Sequence, residues 1–475
     1  MTKPGLAAVP APQLLFLAMA FAGAGCSCSC GSHGAANSDA GAPPDAMANE
    51  GSAPDAPADV SIDASVDAAP DTAADVVPDG SAGMNVAPEW TTLSGKVAGC
   101  EIQRLTNPQQ LRVFEWEPCP GIAGCERTVT NQHVLSDTNG AAYAMGAVAD
   151  DTGVTRMGFA TSDPSKAAME VYYTTEDGQA LDGYRPIGQD PCAAGTTIHG
   201  TRGAIDVGAY PQGKPAGPFG GILSSLTGST APVLFDLPQG QVGSPSGINN
   251  PLGDTRWLWT WSEPDRLTSV IAADGTDFRE SVRVEPNGPL VMVEYPVTTG
   301  SLFLFHEYMV DADAGTATAI IASSDGSSAP TPYLVPTDDS FFLDPGYAGT
   351  HVAWVRGLHP TNVNTFASGE MWASPYSPNP AQLKPYKVDD LPFGFASSVF
   401  VSAHGKYAAV YWADQSTWTA QVFIWDLTLK TRQTISMGPN LAVKTAYGLT
   451  QNYVYVGSAP PNTSANKWVM RLRMN

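Results

Sequence analysis

The sequence predicts an all-β chain, a β-propeller of about seven four-stranded blades, with six or eight also compatible because the early units are weak. Three observations lead there. Residues 395–436 read FASSVFVSAHGKYAAVYWADQSTWTAQVFIWDLTLKTRQTIS, four short apolar runs (397–401, 407–412, 421–425 and 432–435) divided by polar turn clusters. That is a four-stranded β-meander rich in aromatic and β-branched residues. Counterparts of its second and third runs recur about every 50 residues, the spacing of propeller units. Gly (47) and Pro (40) punctuate all 475 residues, and no long window combines a helical period with capping residues. One such sheet cannot bury both of its faces alone; copies arranged radially can.

Taken in order, residues 1–25 read as a secretory signal. Lys3 is a minimal basic region, 14–21 a short apolar core, and small residues lead up to Cys26. That core is too short to span a bilayer. The run Ala22-Gly23-Ala24-Gly25-Cys26 resembles a bacterial lipobox, although Gly23 stands where Leu is usual. The resemblance implies cleavage before Cys26, a diacylglycerol on its thiol and attachment to a membrane by that lipid. Ser27, by resemblance to enterobacterial sorting, implies the outer membrane, with either face open. Cys28 and Cys30 lack partners at zinc-site spacing and read as extra thiols on the tether.

Residues 26–88 form the lipidated N-terminus and a linker of Ala, Asp, Pro, Gly and Ser. Asp55, Asp59, Asp63, Asp67, Asp71, Asp75 and Asp79 recur every fourth residue. On a helix they would repel one another along one face, and Pro54, Pro57, Pro70 and Pro78 oppose a helix as well. The segment is expected to stay extended and disordered. The formal net charge is −22, and no basic run grips a phosphate backbone, so nucleic acid is excluded as a partner.

The propeller is expected over 89–475. Second strands are placed at 155–160, 203–209, 256–261, 302–306, 351–356, 407–412 and 452–456, and third strands at 169–174, 220–226, 267–272, 316–321, 371–376, 421–425 and 467–472. The last unit ends one strand short, and the stretch before the first holds a spare strand. The ring is therefore expected to close by joining its termini, through 111–116 first and 102–105 second, which removes exposed sheet edges. Cys100, Cys119, Cys125 and Cys192 lie beside that closure. An exported chain with four such cysteines suggests two disulfides, Cys119–Cys125 and Cys100–Cys192 being the pairing chosen among three.

The sequence Val401-Ser402-Ala403-His404-Gly405-Lys406-Tyr407-Ala408-Ala409-Val410, with a following strand ending Ile424-Trp425-Asp426-Leu427, resembles TolB-type and WD-repeat propellers. There a Gly-Lys turn introduces a strand and the next strand ends in a Trp-Asp-like pair. Here the order is His-Gly, and only this unit has Trp-Asp. The resemblance implies a fold and no particular partner. The whole layout of lipobox, Ala/Asp/Pro tether and propeller is similar to that of many bacterial lipoproteins.

No specific catalytic motif is present. Gly243-Ser244-Pro245-Ser246-Gly247 keeps its serines off the central position of a nucleophile elbow. His133, His199, His306, His351, His359 and His404 are scattered, and no metal or cofactor site is expected. Asp311-Ala312-Asp313-Ala314-Gly315 lacks the closing carboxylate of a calcium loop and reads as a turn. Trp257, Trp259 and Trp261 share one face of a strand and read as packing between blades. Candidate ligand-binding residues are His351, His359, His404, Asp338, Asp339, Asp389 and Asp390. The leading expectation is a monomeric cell-envelope lipoprotein presenting its propeller as a binding module for a protein or glycan. The rival is an exported hydrolase or lyase acting on glycan or peptide at the channel mouth, and clustering of those histidines and aspartates at one mouth would mark it. A third expectation is a part of an envelope assembly.

Overall fold

In the computed structural model of the chain, the described residues run from 80 to 474, apart from 136–144, 152–153, 164–167, 189–191, 200, 210–217, 237–249, 253–255, 264–265, 274–276, 282–289, 312–315, 326–330, 359–367, 392–397, 415–418, 437–441 and 460–466. Cys26, the signal and the linker up to residue 79 lie outside them. Among the described residues there is no α-helix; three 3-10 turns accompany seven antiparallel sheets.

Six sheets contain a meander continuous in the chain. The first is built on Met145–Asp151, Val154–Asp163, Ala168–Thr175 and Ala180–Ile187. The second runs Cys192–His199, Arg202–Ala209, Phe219–Ser225 and Val233–Asp236, and the third Asn250–Leu252, Arg256–Glu263, Arg266–Ala273 and Asp277–Ser281. The fourth takes Leu290–Thr298, Phe303–Asp311, Thr316–Ser324 and Thr331–Leu334, and the fifth Phe341–Tyr347, His351–Leu358, Ser368–Pro375 and Tyr386–Leu391. The sixth is Ser398–His404, Tyr407–Asp414, Thr419–Asp426 and Thr431–Ser436. Each first strand packs against the first strand of the next sheet, and Ala442–Leu449 of the seventh packs against Met145–Asp151, closing the ring.

The seventh sheet is composite. Ala442–Leu449, Tyr453–Ala459 and Trp468–Arg473 come from the C-terminal end, and Cys125–Thr130 and then Phe114–Pro118 from the N-terminal end. The expected seven four-stranded blades are thus corrected to six four-stranded meanders and one five-stranded composite sheet. The first sheet also departs from four strands, because Cys100–Leu105 pairs with Ala180–Ile187 and Trp90–Val97 is added outside it.

Closure by the termini is observed, but through a different strand from the two expected. Met470, Arg471 and Leu472 pair with Arg127, Glu126 and Cys125. Leu111 and Val113, the most apolar part of 111–116, are buried against the first sheet, where the N–H of Ala180 bonds the Leu111 carbonyl at 2.9 Å and the N–H of Val113 bonds the Gly178 carbonyl at 2.8 Å. Only the outer half, Phe114–Pro118, remains to line the composite sheet. Ile102 pairs with Pro186 in the first sheet. Burial of the apolar pair decided the choice, since each fully buried aliphatic chain contributes roughly 2 kcal/mol.

Buried side chains form clusters that straddle neighbouring sheets. In the sixth sheet Ala408, Val410, Phe423 and Trp425 join Val355, Met371 and Ala373 of the fifth, whereas Ala409, Val422 and Ile424 join Val456 and Met470 of the seventh. The two-residue alternation of a strand sends successive side chains to opposite neighbours, so the strands read as nearly continuous apolar runs. Close approach is visible at Gly203, where a Cβ would lie 2.3 Å from the ring of Tyr173.

The turns of the sixth sheet show why it forms locally. Gly405 takes φ +58°, a left-handed conformation that costs glycine little. Lys406 pairs with Asp426 at 2.5 Å, and Asp426 Oδ1 accepts the N–H groups of Thr428 and Leu429, each at 2.9 Å. The Lys406 carbonyl accepts the N–H of Leu427 at 2.8 Å. One aspartate therefore fastens both turns at that end. Both expected disulfides are present: Cys119–Cys125 closes the hairpin that supplies the closing strand, and Cys100–Cys192 ties the N-terminal strands to the second sheet.

Candidate functional site

Polar side chains gather at the end of the fifth sheet where its second strand finishes and its third begins. Arg356 and Glu370 face each other in register there. Arg356 Nη1 lies 3.2 Å from Glu370 Oε2, its Nε donates to Ser340 Oγ at 3.0 Å, and its Nη2 pairs with Asp338. Lys387 on the fourth strand reaches Glu370 at 2.9 Å and Asp390 at 2.6 Å. Trp372 donates its indole N–H to Glu370 at 2.8 Å, and the Arg356 guanidinium lies 5.6 Å from its ring centre. Asp389, beside them, accepts the indole N–H of Trp425 at 2.9 Å and pairs with Arg432 at 3.2 Å, joining the fifth sheet to the sixth.

Three groups of the cluster, Asp338, Glu370 and Lys387, are held in their charged forms. The Ser340 hydroxyl and N–H hold the Asp338 carboxyl below its ordinary pKa, with Arg356 adding to them. Burial pushes Glu370 upward, but the Trp372 indole, Lys387 and Arg356 outweigh it and hold the carboxyl low. Asp390 and Glu370 raise Lys387. A general acid or base works best with a pKa near the operating pH. These shifts lead away from it, and what the cluster offers is permanent charge and hydrogen bonds beside an indole.

The candidate residues divide between two ends. Asp338, Asp389 and Asp390 fall in or beside this cluster, with the exposed Asp339 next to Asp338. His351 begins the strand that carries Arg356 five residues later, ~17 Å away at the rise of a strand. The Thr350 hydroxyl there lies 3.0 Å from His351 Nδ1 and bonds the Gly405 carbonyl at 3.2 Å, linking the turns of the fifth and sixth sheets. Burial lowers the His351 pKa and favours its neutral form. His404 ends the neighbouring strand opposite Tyr407. His359 lies outside the described residues. Asp311 ends one strand and Thr316 begins the next in register with it, as a turn requires, while Asp313 lies outside the described residues. Trp257, Trp259 and Trp261 alternate along Arg256–Glu263.

Sequence reasoning missed a buried pair. His306 Nδ1 lies 3.7 Å from Asp344 Oδ1 between the fourth and fifth sheets, both side chains 9% exposed. Asp344 has φ +43° and sits where the register of Phe341–Tyr347 shifts between Leu343 and Gly346. Burial raises its pKa, opposed by His306. The detectable signal was Asp344-Pro345-Gly346 inside a strand: proline removes a ladder donor, and such positions mark bulges. Among the described residues no group of three or more His, Cys, Asp or Glu side chains can hold a metal ion.

Comparison with family models finds no match, and neither does comparison with curated proteins. Similar solved structures include an oligogalacturonate lyase in complex with manganese, 8% identical, TM-score 0.45, covering 82% of this chain and 97% of that one. A prolyl endopeptidase is 13% identical, TM-score 0.46, covering 80% of this chain and 55% of that one, so the chain spans about half its length. A putative TolB from Agrobacterium tumefaciens is 13% identical, TM-score 0.32, covering 57% and 86%. Two of the three carry enzyme names. The ring of four-stranded meanders is established by the strand pairing itself, and these similarities add nothing to it.

Proposed function

We propose that this chain is an exported, lipid-anchored propeller that engages a glycan or peptide at the end of the fifth sheet carrying Arg356, Glu370, Trp372, Lys387 and Asp390. The supporting observation is the cluster itself, where ion pairs lie against an indole, with Asp390 and part of Lys387 open to solvent. Sugar hydroxyls and peptide groups are recognised by such donors and acceptors beside an aromatic face. The test is binding of the full chain to panels of envelope glycans and peptides, repeated with Lys387→Met and Asp390→Asn, whose side chains are partly exposed. Affinity should fall about tenfold, the loss of one charge-assisted hydrogen bond. Equal affinity in wild type and both variants would remove the site.

The anchor is tested separately. Cys26→Ala should abolish incorporation of a labelled fatty acid and release the chain from outer-membrane fractions; label retained in the variant counts against Cys26. In this reading the protein is a monomer that takes no cofactor.

A second reading, a hydrolase or lyase acting on the same classes of ligand, is supported by the His306–Asp344 pair. A buried carboxyl of raised pKa on a first strand, held in a left-handed conformation, is the kind of perturbed group that acid catalysis uses. New reducing ends or amines formed by wild type and absent with Asp344→Asn would establish it, and no product with either would end it.

A further inference from the structure

The point where the linker meets the propeller is gripped by two buried asparagines. Asn131, 1% exposed, donates from Nδ2 toward the carbonyls of Gly83 at 3.3 Å and Val86 at 3.1 Å, while holding the Arg112 carbonyl at 2.9 Å. Its own N–H bonds the Val113 carbonyl at 2.9 Å, and its Oδ1 accepts the N–H of His133 at 2.9 Å. Asn107, 8% exposed, donates to the Ala87 carbonyl at 2.9 Å and accepts the N–H of Glu89 at 3.0 Å. Thr106 N–H adds a bond to the Glu89 carbonyl at 2.8 Å, and Gln132 reaches the Asn85 side chain at 3.2 Å. Residues 83–89 are thus held largely through their backbone by side chains from elsewhere in the fold.

Side-chain amides suit this task, because each combines a carbonyl acceptor with an NH₂ donor and so matches peptide groups. With the two amides buried and their backbone partners part-exposed, water contests these bonds less than it would at an open surface. Behind the grip stands a covalent stop. Among the described residues, the one strand Trp90–Val97 pairs with is Cys100–Leu105, from Trp90 opposite Leu105 to Val97 opposite Cys100. A pull on residue 89 would unzip that hairpin from its open end and halt at Cys100, which is bonded to Cys192 of the second sheet.

We propose that Asn107 and Asn131 form a strain-relief clamp for the tether, with the Cys100–Cys192 disulfide as its stop, so that load on the N-terminus is taken up before the propeller is disturbed. This rests on the reading of an N-terminal anchor, yet its test does not need the lipid. The full chain is pulled between its N- and C-termini, and backbone amide exchange is followed over residues 84–89. In Asn107→Ala and in Asn107→Ala/Asn131→Ala, exchange in that stretch should quicken about tenfold or more, from the loss of side-chain bonds to the segment. The pulling trace should gain an early low-force step of roughly 60 Å, the length of some seventeen freed residues. Reducing the disulfide should lengthen that step. If Asn131→Ala prevents folding, Asn107→Ala alone still decides. Unchanged exchange, or a wild-type chain that peels at the same force as Asn107→Ala, overturns the clamp. Loss of the fatty-acid label question in Cys26 leaves these readings untouched, so failure of the anchor and failure of the clamp are distinguishable.

Discussion

The sixth and seventh sheets bury similar side chains by opposite routes. In the sixth, four strands follow one another within 398–436, and Gly405, Lys406 and Asp426 build both turns at one end. In the seventh, the bond from Arg471 to Glu126 spans 345 positions of sequence. Arg471 lies 2.6 Å from Glu126 and 3.0 Å from Glu176, with its guanidinium 4.4 Å and 4.7 Å from the rings of Trp116 and Tyr453. The Tyr455 hydroxyl donates to Glu176 at 2.7 Å. Where local turns cannot set the register, a half-buried ion network and the Cys119–Cys125 disulfide stand in for them. Long-range pairing bears a larger loop-closure cost, so the composite sheet is the part expected to form late.

Four experiments sharpen or break this contrast. Replacing Cys100 and Cys192 by Ala should destabilise the chain most, by about 4 kcal/mol, against about 2 kcal/mol for the short Cys119–Cys125 loop. Equal losses in urea titrations would show that strain or denatured-state structure outweighs loop length. Arg471→Met should cost about 2 kcal/mol, since Glu126 and Glu176 lose their charged partner but are one-third exposed to water, and Glu176 keeps the Tyr455 hydroxyl. Stopped-flow measurement should place that loss in the unfolding rate if the sheet closes late; slower folding would make closure an early event. In the sixth sheet, Trp425→Phe keeps most of the packing and removes the bond to Asp389, so about 1.5 kcal/mol should be lost. A larger loss than that of Arg471→Met would invert the comparison.

The smallest effect is expected at Asp344, outside both sheets. A carboxyl whose folded pKa is raised binds its proton more tightly in the folded state. Its stabilisation is present below the unfolded pKa and is lost as pH rises through the folded one. Asp344→Asn, which also tolerates a positive φ, should therefore be slightly more stable than wild type at neutral pH, with the difference vanishing in acid. Thermal midpoints across pH would check this; a variant less stable at neutral pH would mean that the pair with His306 outweighs the burial.

How far the sequence could be read follows the same divide. The sixth sheet was legible because every determinant lies within it, from the apolar runs to Gly405 and the Trp425-Asp426 pair. Second and third strands of the other sheets were legible from the same alternation, as at His351–Leu358 and Thr316–Ser324. The closing strand was not. Cys125–Thr130 is polar along much of its length, with Glu126 and Arg127 facing partners that only the fold supplies, whereas 111–116 looked the better strand by composition. The polar cluster was half legible: the aspartates stood out as pairs, but Arg356, Glu370 and Lys387 join them across strands, where spacing in sequence carries no signal. His306 and Asp344 lie on different sheets and were visible only through the proline that breaks the strand.

The composite sheet also fixes an order of events during synthesis. Its fourth strand, Cys125–Thr130, leaves the ribosome long before its third, Trp468–Arg473. An emerging chain can fold the six meanders while the ring stays open, with the early hairpin waiting for a partner made after them. Ring closure is therefore signalled in the architecture itself: a chain truncated before Trp468–Arg473 leaves the strand Cys125–Thr130 unpaired on that side, and its exposed edge would distinguish open rings from closed ones.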